Sequence, residues 1–99
     1  MHSLKIHVSY RNVVAIADSD IIGKRFEEGQ RQLDVKESFY KGKETGKEEV
    51  IQEMIDQMKE DSTFNIVGKN SIAAAIEAGI LSKESVGRVQ GVPFALVLL

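Results

Sequence analysis

Alternating apolar and polar residues open the chain. Every second side chain from Leu4 to Tyr10, in the stretch LKIHVSY, is apolar or aromatic, which is typical of a strand with one buried face. The apolar run VVAIA follows at 13–17, after Arg11 and Asn12. Two such runs separated by two residues predict a β-hairpin, and Asn12 tolerates the left-handed backbone conformation that this turn requires.

Further along, the apolar period changes to that of a helix. Five apolar side chains fall on one side of this segment: Val50, Ile51, Met54, Ile55 and Met58. Thr45 and Glu48 match a capping box, which predicts that the helix begins just after Thr45.

Shorter signals predict the remaining elements. They are a helical turn at 20–26, strands at 31–36 and 64–67, a helix at 71–78 that ends before Gly79, and strands at 85–90 and 93–99. This order is typical of an α+β fold. We predict a two-layer sandwich in which a mixed or antiparallel sheet of about six strands carries two main helices, at about 46–60 and 71–78. Residues 1–99 are predicted to form a single domain.

The last strand has an unusual composition. FALVLL, residues 94–99, contains no polar residue, and an exposed edge strand of this kind would promote aggregation. The strand is therefore central in the sheet or covered by a second copy of the chain, so a homodimer is one expected arrangement. Alternation predicts the faces: Phe94, Leu96 and Leu98 on one, and Val97 and Leu99 on the other.

Composition narrows the class of protein. The chain contains no cysteine, which excludes disulfides, cysteine-ligated zinc and thiol nucleophiles. No apolar run approaches the length that spans a bilayer, so we expect a cytoplasmic protein without membrane contact. The net charge of −2 conceals an uneven distribution, because residues 44–61 are strongly acidic whereas the rest of the chain is slightly basic.

The segment GKNS at 68–71 raises the question of a phosphate-binding loop. A nucleotide-binding P-loop would need glycine in place of Thr63 and a hydroxyl residue in place of Asn70, so that motif is excluded. The start of a helix still offers free amides to an anion, and Gly68, Lys69, Asn70 and Ser71 form a candidate anion site. The alternative is that Asn70 simply caps the helix.

Metal and catalytic motifs are not found. DSDIIG resembles the start of a calcium-binding loop, but Ile22 and Gly29 stand where oxygen ligands are needed. His2 and His7 have no carboxylate placed beside them by the pattern. We therefore predict no metal site, no cofactor and no catalytic residue.

Cations and aromatic residues form the last candidate site. They are Lys24, Arg25, Phe39, Tyr40, Lys41, Lys43, Lys69 and Arg88. Aromatic rings beside cations suit single-stranded RNA, because bases stack on the rings and phosphates bind the cations. The alternative is that Phe39 and Tyr40 belong to the core and the cations are ordinary surface residues.

Three longer stretches resemble blocks of a known family, and together they cover nearly the whole chain. They are DIIGKRFEEGQRQLDVKESFYKG, NIVGKNSIAAAIEAGIL and VGRVQGVPFA. The chain resembles a family of small archaeal proteins named domain of unknown function 424. The resemblance implies an uncharacterised protein, and no catalytic residue is carried over from it. We attach to it the expectation of a link to RNA or to the translation machinery.

Three functions remain open at this point. The first is a small non-catalytic module that binds RNA or a ribonucleoprotein. The second is a protein-interaction domain whose acidic helix, within 44–61, docks on a basic partner. The third is an enzyme that binds a small anionic metabolite at the start of the helix near Asn70.

Overall fold

A computed structural model describes residues 1–98 of the chain. The strands in chain order are β1 His2–His7, β2 Val13–Asp18, β3 Arg25–Glu28, β4 Arg31–Asp34, β5 Lys43–Thr45, β6 Thr63–Val67, β7 Gly87–Val89 and β8 Val92–Val97. The helices are α1 Glu37–Tyr40, α2 Lys47–Lys59 and α3 Lys69–Glu77. Short 3-10 turns occupy Ser19–Ile21 and Lys83–Ser85.

Six of these strands form one mixed sheet in the order β5-β1-β2-β6-β8-β7. The central pair, β2 and β6, is parallel, with Ala17 opposite Val67 at its end, and the other pairs in the sheet are antiparallel. β3 and β4 form a separate hairpin. The predicted α+β class, the mixed sheet of six strands and the two main helices are confirmed.

The main core lies between the sheet and the two long helices. Val50 and Met54 of α2 are fully buried against Phe64 and Ile66 of β6, and the alanine-rich side of α3 packs on the same face. Ile51 and Met58 pack against the same core, so the predicted apolar stripe is the buried side of α2, with Ile55 only partly buried at its margin. This arrangement follows from the helical period of the apolar residues.

The opposite face of the sheet is covered in part by the β3–β4 hairpin and α1. Val35 and Tyr40 are buried there, and Phe26 and Leu33 pack against Ala17 of β2. Local sequence patterns predict neither α1 nor β5, and they place a helical turn at residues 20–26. That assignment is wrong beyond Ile21, because the chain turns at Gly23, with φ +88, and then extends as β3.

The predicted hairpin between β1 and β2 forms, but its loop is longer than the two residues expected. β1 ends at His7, which pairs with Val13, so residues 8–12 form a five-residue loop. Val8 and Tyr10 project into solvent because no strand or helix packs over this loop. The prediction that they share the buried face of Leu4 is therefore wrong.

Both predicted helix starts also need correction. The N-cap of α2 is Gly46, and the Thr45 hydroxyl donates to the carbonyl oxygen of Lys43, 2.9 Å away, so no capping box forms. The N-cap of α3 is Gly68, so Asn70 lies inside the helix. The predicted end of α3 is confirmed, since Gly79 follows the helix with φ +81.

The apolar C-terminal strand occupies an inner position of the sheet, which is one of the two arrangements expected from its composition. β8 lies between β6 and β7, and its Val97 faces the helices whereas Phe94 faces the hairpin layer. The assignment of Leu99 to a face lies outside the described residues. Among residues 1–98, no helix has both the length and the apolar character needed to cross a membrane.

Candidate functional site at the carboxyl ends of β2 and β6

Parallel strands bring their carboxyl ends to one edge of the sheet, and here that edge holds a buried acid. Asp18 ends β2 and is only 4% exposed. Its Oδ1 accepts hydrogen bonds from the Ser71 amide (2.8 Å) and the Ser71 hydroxyl (2.7 Å), and its Oδ2 accepts one from the Asn70 amide (3.1 Å). Asp18 therefore caps α3 from a distant part of the chain and complements the positive end of the helix.

Gly68 makes this approach of Asp18 possible. Its φ of +108 lies in a region that side chains disfavour, and a Cβ at this position would collide with the Asp18 carboxylate. The Gly68 amide donates to the Pro93 carbonyl oxygen, 2.9 Å away, which links the start of α3 to β8. The glycine is therefore needed for both its backbone conformation and its lack of a side chain.

His2 extends the hydrogen bonds of Asp18 into a three-residue chain. The Ser71 hydroxyl donates its only proton to Asp18, so Ser71 Oγ must accept from Nδ1–H of His2, 2.9 Å away. This assigns the Nδ1–H tautomer to the neutral ring. Burial lowers the pKa of His2, an effect that the nearby negative charge of Asp18 opposes.

The Asp18–Ser71–His2 network is not arranged for nucleophilic catalysis. In a hydrolase triad the imidazole lies between the acid and the serine and removes the serine proton. Here Ser71 lies between the acid and the imidazole, gives its proton to Asp18 and is fully buried. The network is a structural link between β1, β2 and α3.

This network predicts a pH dependence of stability. The pKa of His2 in the folded state is below its ordinary value of 6.5. At pH values between the folded-state and unfolded-state pKa, the unfolded chain therefore binds more protons than the folded chain. Stability should therefore fall as the pH drops below about 6.5. Urea unfolding at several pH values measures this.

A His2→Asn variant keeps a side-chain N–H for Ser71 but does not titrate. The wild type should lose more stability than this variant as the pH falls. Equal losses in the two proteins would contradict the assignment.

The candidate anion site is built differently from expectation. The Asn70 and Ser71 amides, which the sequence assigned to an external anion, donate to Asp18, and the Lys69 side chain is exposed. The alternative assignment, in which Asn70 caps the helix with its side chain, is wrong because Gly68 occupies the cap and α3 has no side-chain cap bond from it. An external anion at Gly68–Ser71 stays a prediction.

A shallow cleft of about 200 Å³ adjoins this network. Its lining includes Ile21, Val92 and Pro93 and the backbone of Gly68 and Gly91. The charged members of the lining are Lys69, Asp20 and Asp18 itself. The lining consists mainly of apolar side chains and glycine backbone. A flat, uncharged group fits this chemistry.

Two further predicted cations, Lys24 and Arg88, do not line this cleft but are backbone neighbours of two residues that do. The amide of Lys24 donates to the carbonyl oxygen of Ile21 (3.1 Å), and Arg88 is the cross-strand partner of Pro93, on the same face of the sheet. Lys24, Lys69 and Arg88 are exposed, and none forms an ion pair within residues 1–98. Of the eight residues predicted for RNA, Lys69 therefore lines this cleft, and Lys24 and Arg88 adjoin its lining residues through the backbone.

The other predicted cations lie elsewhere and are paired. Lys43 lies on β5, at the opposite edge of the sheet from Arg88, and its Nζ is 2.9 Å from Glu49. The two remaining pairs are Lys41 with Glu37 (3.8 Å) and Arg25 with Glu27 (3.2 Å). One compact site cannot contain all of the predicted residues.

The predicted aromatic residues are largely structural. Tyr40 is buried, which raises the pKa of its hydroxyl, and the half-buried Phe39 ring stacks on His7 with 4.6 Å between ring centroids. His7 Nε2 lies 2.8 Å from the Phe39 carbonyl oxygen and acts as the donor. The alternative that Phe39 and Tyr40 belong to the core fits this packing.

The network itself was missed by sequence reasoning. Ser71 lies 53 positions from Asp18 and 69 positions from His2 along the chain, so no local motif reveals the network. The available signal was an acid at the end of an apolar strand, VVAIAD, together with a serine in the first turn of a later helix. Only the parallel pairing of β2 with β6 brings the two together.

Comparisons with known proteins give a family and a fold. The family model described as "Protein of unknown function (DUF424)" matches residues 6–99. The crystal structure of an uncharacterized conserved protein from Methanopyrus kandleri superposes with a TM-score of 0.85 and 24% sequence identity, covering 98% of this chain and 91% of that chain. At this identity the likeness shows the fold alone. No curated protein matches the sequence.

Proposed function

We propose a function for a chain that belongs to the DUF424 family of proteins of unknown function: it binds single-stranded RNA, without catalysis, at the cleft beside the Asp18–Ser71–His2 network. The observation that carries the proposal is a largely apolar cleft that Lys69 lines, with Lys24 and Arg88 next in the backbone to its lining residues Ile21 and Pro93. None of these three cations forms an ion pair within residues 1–98. RNA itself, alone or within a ribonucleoprotein, is the proposed partner.

The cleft has the chemistry that one nucleotide unit requires. Apolar side chains of Ile21, Val92 and Pro93 offer a surface to a base, and Lys69 in the lining offers a cation to a flanking phosphate. Lys24 and Arg88 are proposed to bind the phosphates further along the strand. Asp20 lines the same cleft and offers a carboxylate to the amino group of a base. Because Asp18 already occupies the amides of α3, the phosphates are assigned to side chains and not to the helix start.

We expect RNA binding to depend on these three cations. Single-stranded RNA about ten nucleotides long should bind the wild type with an affinity that falls steeply between about 50 and 200 mM salt. The triple variant Lys24→Ala, Lys69→Ala and Arg88→Ala should lose about tenfold or more in affinity and make the log–log salt slope less negative by about 2. Fluorescence anisotropy at several salt concentrations measures both quantities.

A matched triple variant, Lys41→Ala, Lys43→Ala and Lys59→Ala, removes the same charge at other positions of the surface. It should change the affinity much less, because two of its lysines already form ion pairs with Glu37 and Glu49. Equal losses in the two triple variants would contradict the assignment to the cleft. Undetectable binding at low salt would contradict the function.

Docking of the acidic helix α2 on a basic protein stays the second sequence prediction, and no contact within residues 1–98 favours it. A pull-down with the wild-type protein separates the two functions, because RNase treatment should abolish a complex held by RNA and preserve one held by the helix. We also propose a cytoplasmic location, where RNA is available to the protein.

A further inference from the structure

The outer part of β8 has an unpaired edge. On its inner side, β8 pairs with β6 through Val97, whereas on its outer side β7 reaches only as far as Phe94. In antiparallel strands the backbone groups of alternate residues point to alternate sides, and the Pro93 carbonyl oxygen points towards β6. The N–H and C=O groups of Leu96 and Leu98 therefore point to the open side.

Apolar surface surrounds this open edge. The side chains of Leu96 and Leu98 are 55% and 67% exposed, which is unusual for leucine in a sheet. A groove of about 400 Å³ runs beside them, between β8 and the segment 79–85, and its lining includes Ile80 and Leu81. An exposed edge with apolar side chains is a template for another strand.

We infer that the occupant of this edge is a second copy of the same strand, so that two chains form one continuous sheet through β8. Residues 89–98 carry no charge, so the strand can lie beside its own copy without repulsion between like charges. An antiparallel strand edge offers both donors and acceptors, and two identical edges related by a two-fold axis satisfy each other. A basic or an acidic partner strand would find no complementary charge on residues 89–98.

The geometry of the edge fixes the register. A two-fold axis perpendicular to the sheet places the same face of both chains on the same side of the continuous sheet. Residues that lie opposite each other across the two copies of β8 must therefore belong to the same face. With Leu96 opposite Leu98 of the second copy, both residues direct their backbone groups at each other and form two hydrogen-bonded pairs. β7 of each chain does not overlap the residues that pair between the copies, because the last residue of β8 that β7 reaches is Phe94, opposite Gly87.

Sedimentation equilibrium tests the dimer. The wild type should show a monomer–dimer equilibrium, and Leu96→Lys and Leu98→Glu, each alone, should be folded monomers because both side chains are exposed. Val8→Lys is the matched control, since Val8 is 84% exposed and lies away from β8, and it should dimerise as the wild type does. A wild type that stays monomeric at the highest soluble concentration, or a Leu96→Lys variant that still dimerises, would overturn the inference.

Mixing the two variants tests the register. In a heterodimer of Leu96→Lys with Leu98→Glu, one cross-strand pair is Lys with Glu and the other is the native Leu with Leu, so mixing should restore the dimer. Failure to restore it would overturn the proposed register. Dimerisation should not weaken with added salt, which distinguishes this interface from the electrostatic binding of RNA.

Discussion

Replacing Asp18 by alanine should destabilise the protein by about 3 kcal/mol, because three donors around the carboxylate lose an ionised acceptor at once. The start of α3 would lose the side-chain cap that Asp18 provides, and Ser71 would remain buried without its acceptor. For a domain of this size the loss is a large part of the total stability. Urea unfolding should show a lower midpoint with an unchanged m-value.

Asp20→Ala is the matched control for this variant. Asp20 carries the same charge two residues further along, but it is exposed and accepts no hydrogen bond from residues 1–98. Its replacement should change the free energy of unfolding by about 0.5 kcal/mol or less. Similar losses in the two variants would show that negative charge near α3, and not the hydrogen-bonded carboxylate, stabilises the helix.

Replacing Gly68 by alanine should be similarly damaging, at about 3 kcal/mol. The backbone at φ +108 and ψ 147 is strained for any side chain, and the new methyl group would also displace the Asp18 carboxylate. Gly79→Ala provides the comparison, since Gly79 also has a positive φ but has open space where a Cβ would lie. That variant should lose only about 1 kcal/mol.

A double-mutant cycle isolates the contact between the two residues. Once Asp18 is alanine, the Gly68→Ala methyl group no longer meets a carboxylate, so the double variant should be more stable than the sum of the single losses predicts. We expect a coupling of at least about 1 kcal/mol. Strict additivity would mean that the cost of Gly68→Ala comes from backbone strain alone.

Local sequence patterns predicted the elements whose signals are local. The stripe of α2 and the glycine at the end of α3 depend on residues within a few positions of one another, and both predictions were confirmed. The capping residues were predicted less well. Thr45 and Asn70 have the right chemistry for caps, but the glycine before each helix takes the cap position.

The candidate site was predictable only as a list of residues. Sequence selected Lys24, Lys69 and Arg88 for their charge, but it could not separate them from Lys41 and Lys43, which the fold places at a different edge and pairs with acids. It selected Phe39 and Tyr40 as candidate ring surfaces, whereas the layer formed by the hairpin and α1 leaves Phe39 half-buried and Tyr40 buried. Which charges remain unpaired depends on which acids lie nearby in space.

By itself, the sequence determined the α+β class, the two long helices, the family and the apolar character of the last strand, because periodicity and composition are properties of neighbouring residues. Only the tertiary structure decided that Asp18, Ser71 and His2 meet, that Lys69 lines an apolar cleft at the same edge of the sheet, and that β8 is left half unpaired. Each of these depends on strand order. Strand order is set by pairing between segments far apart in the chain, and no local pattern encodes it.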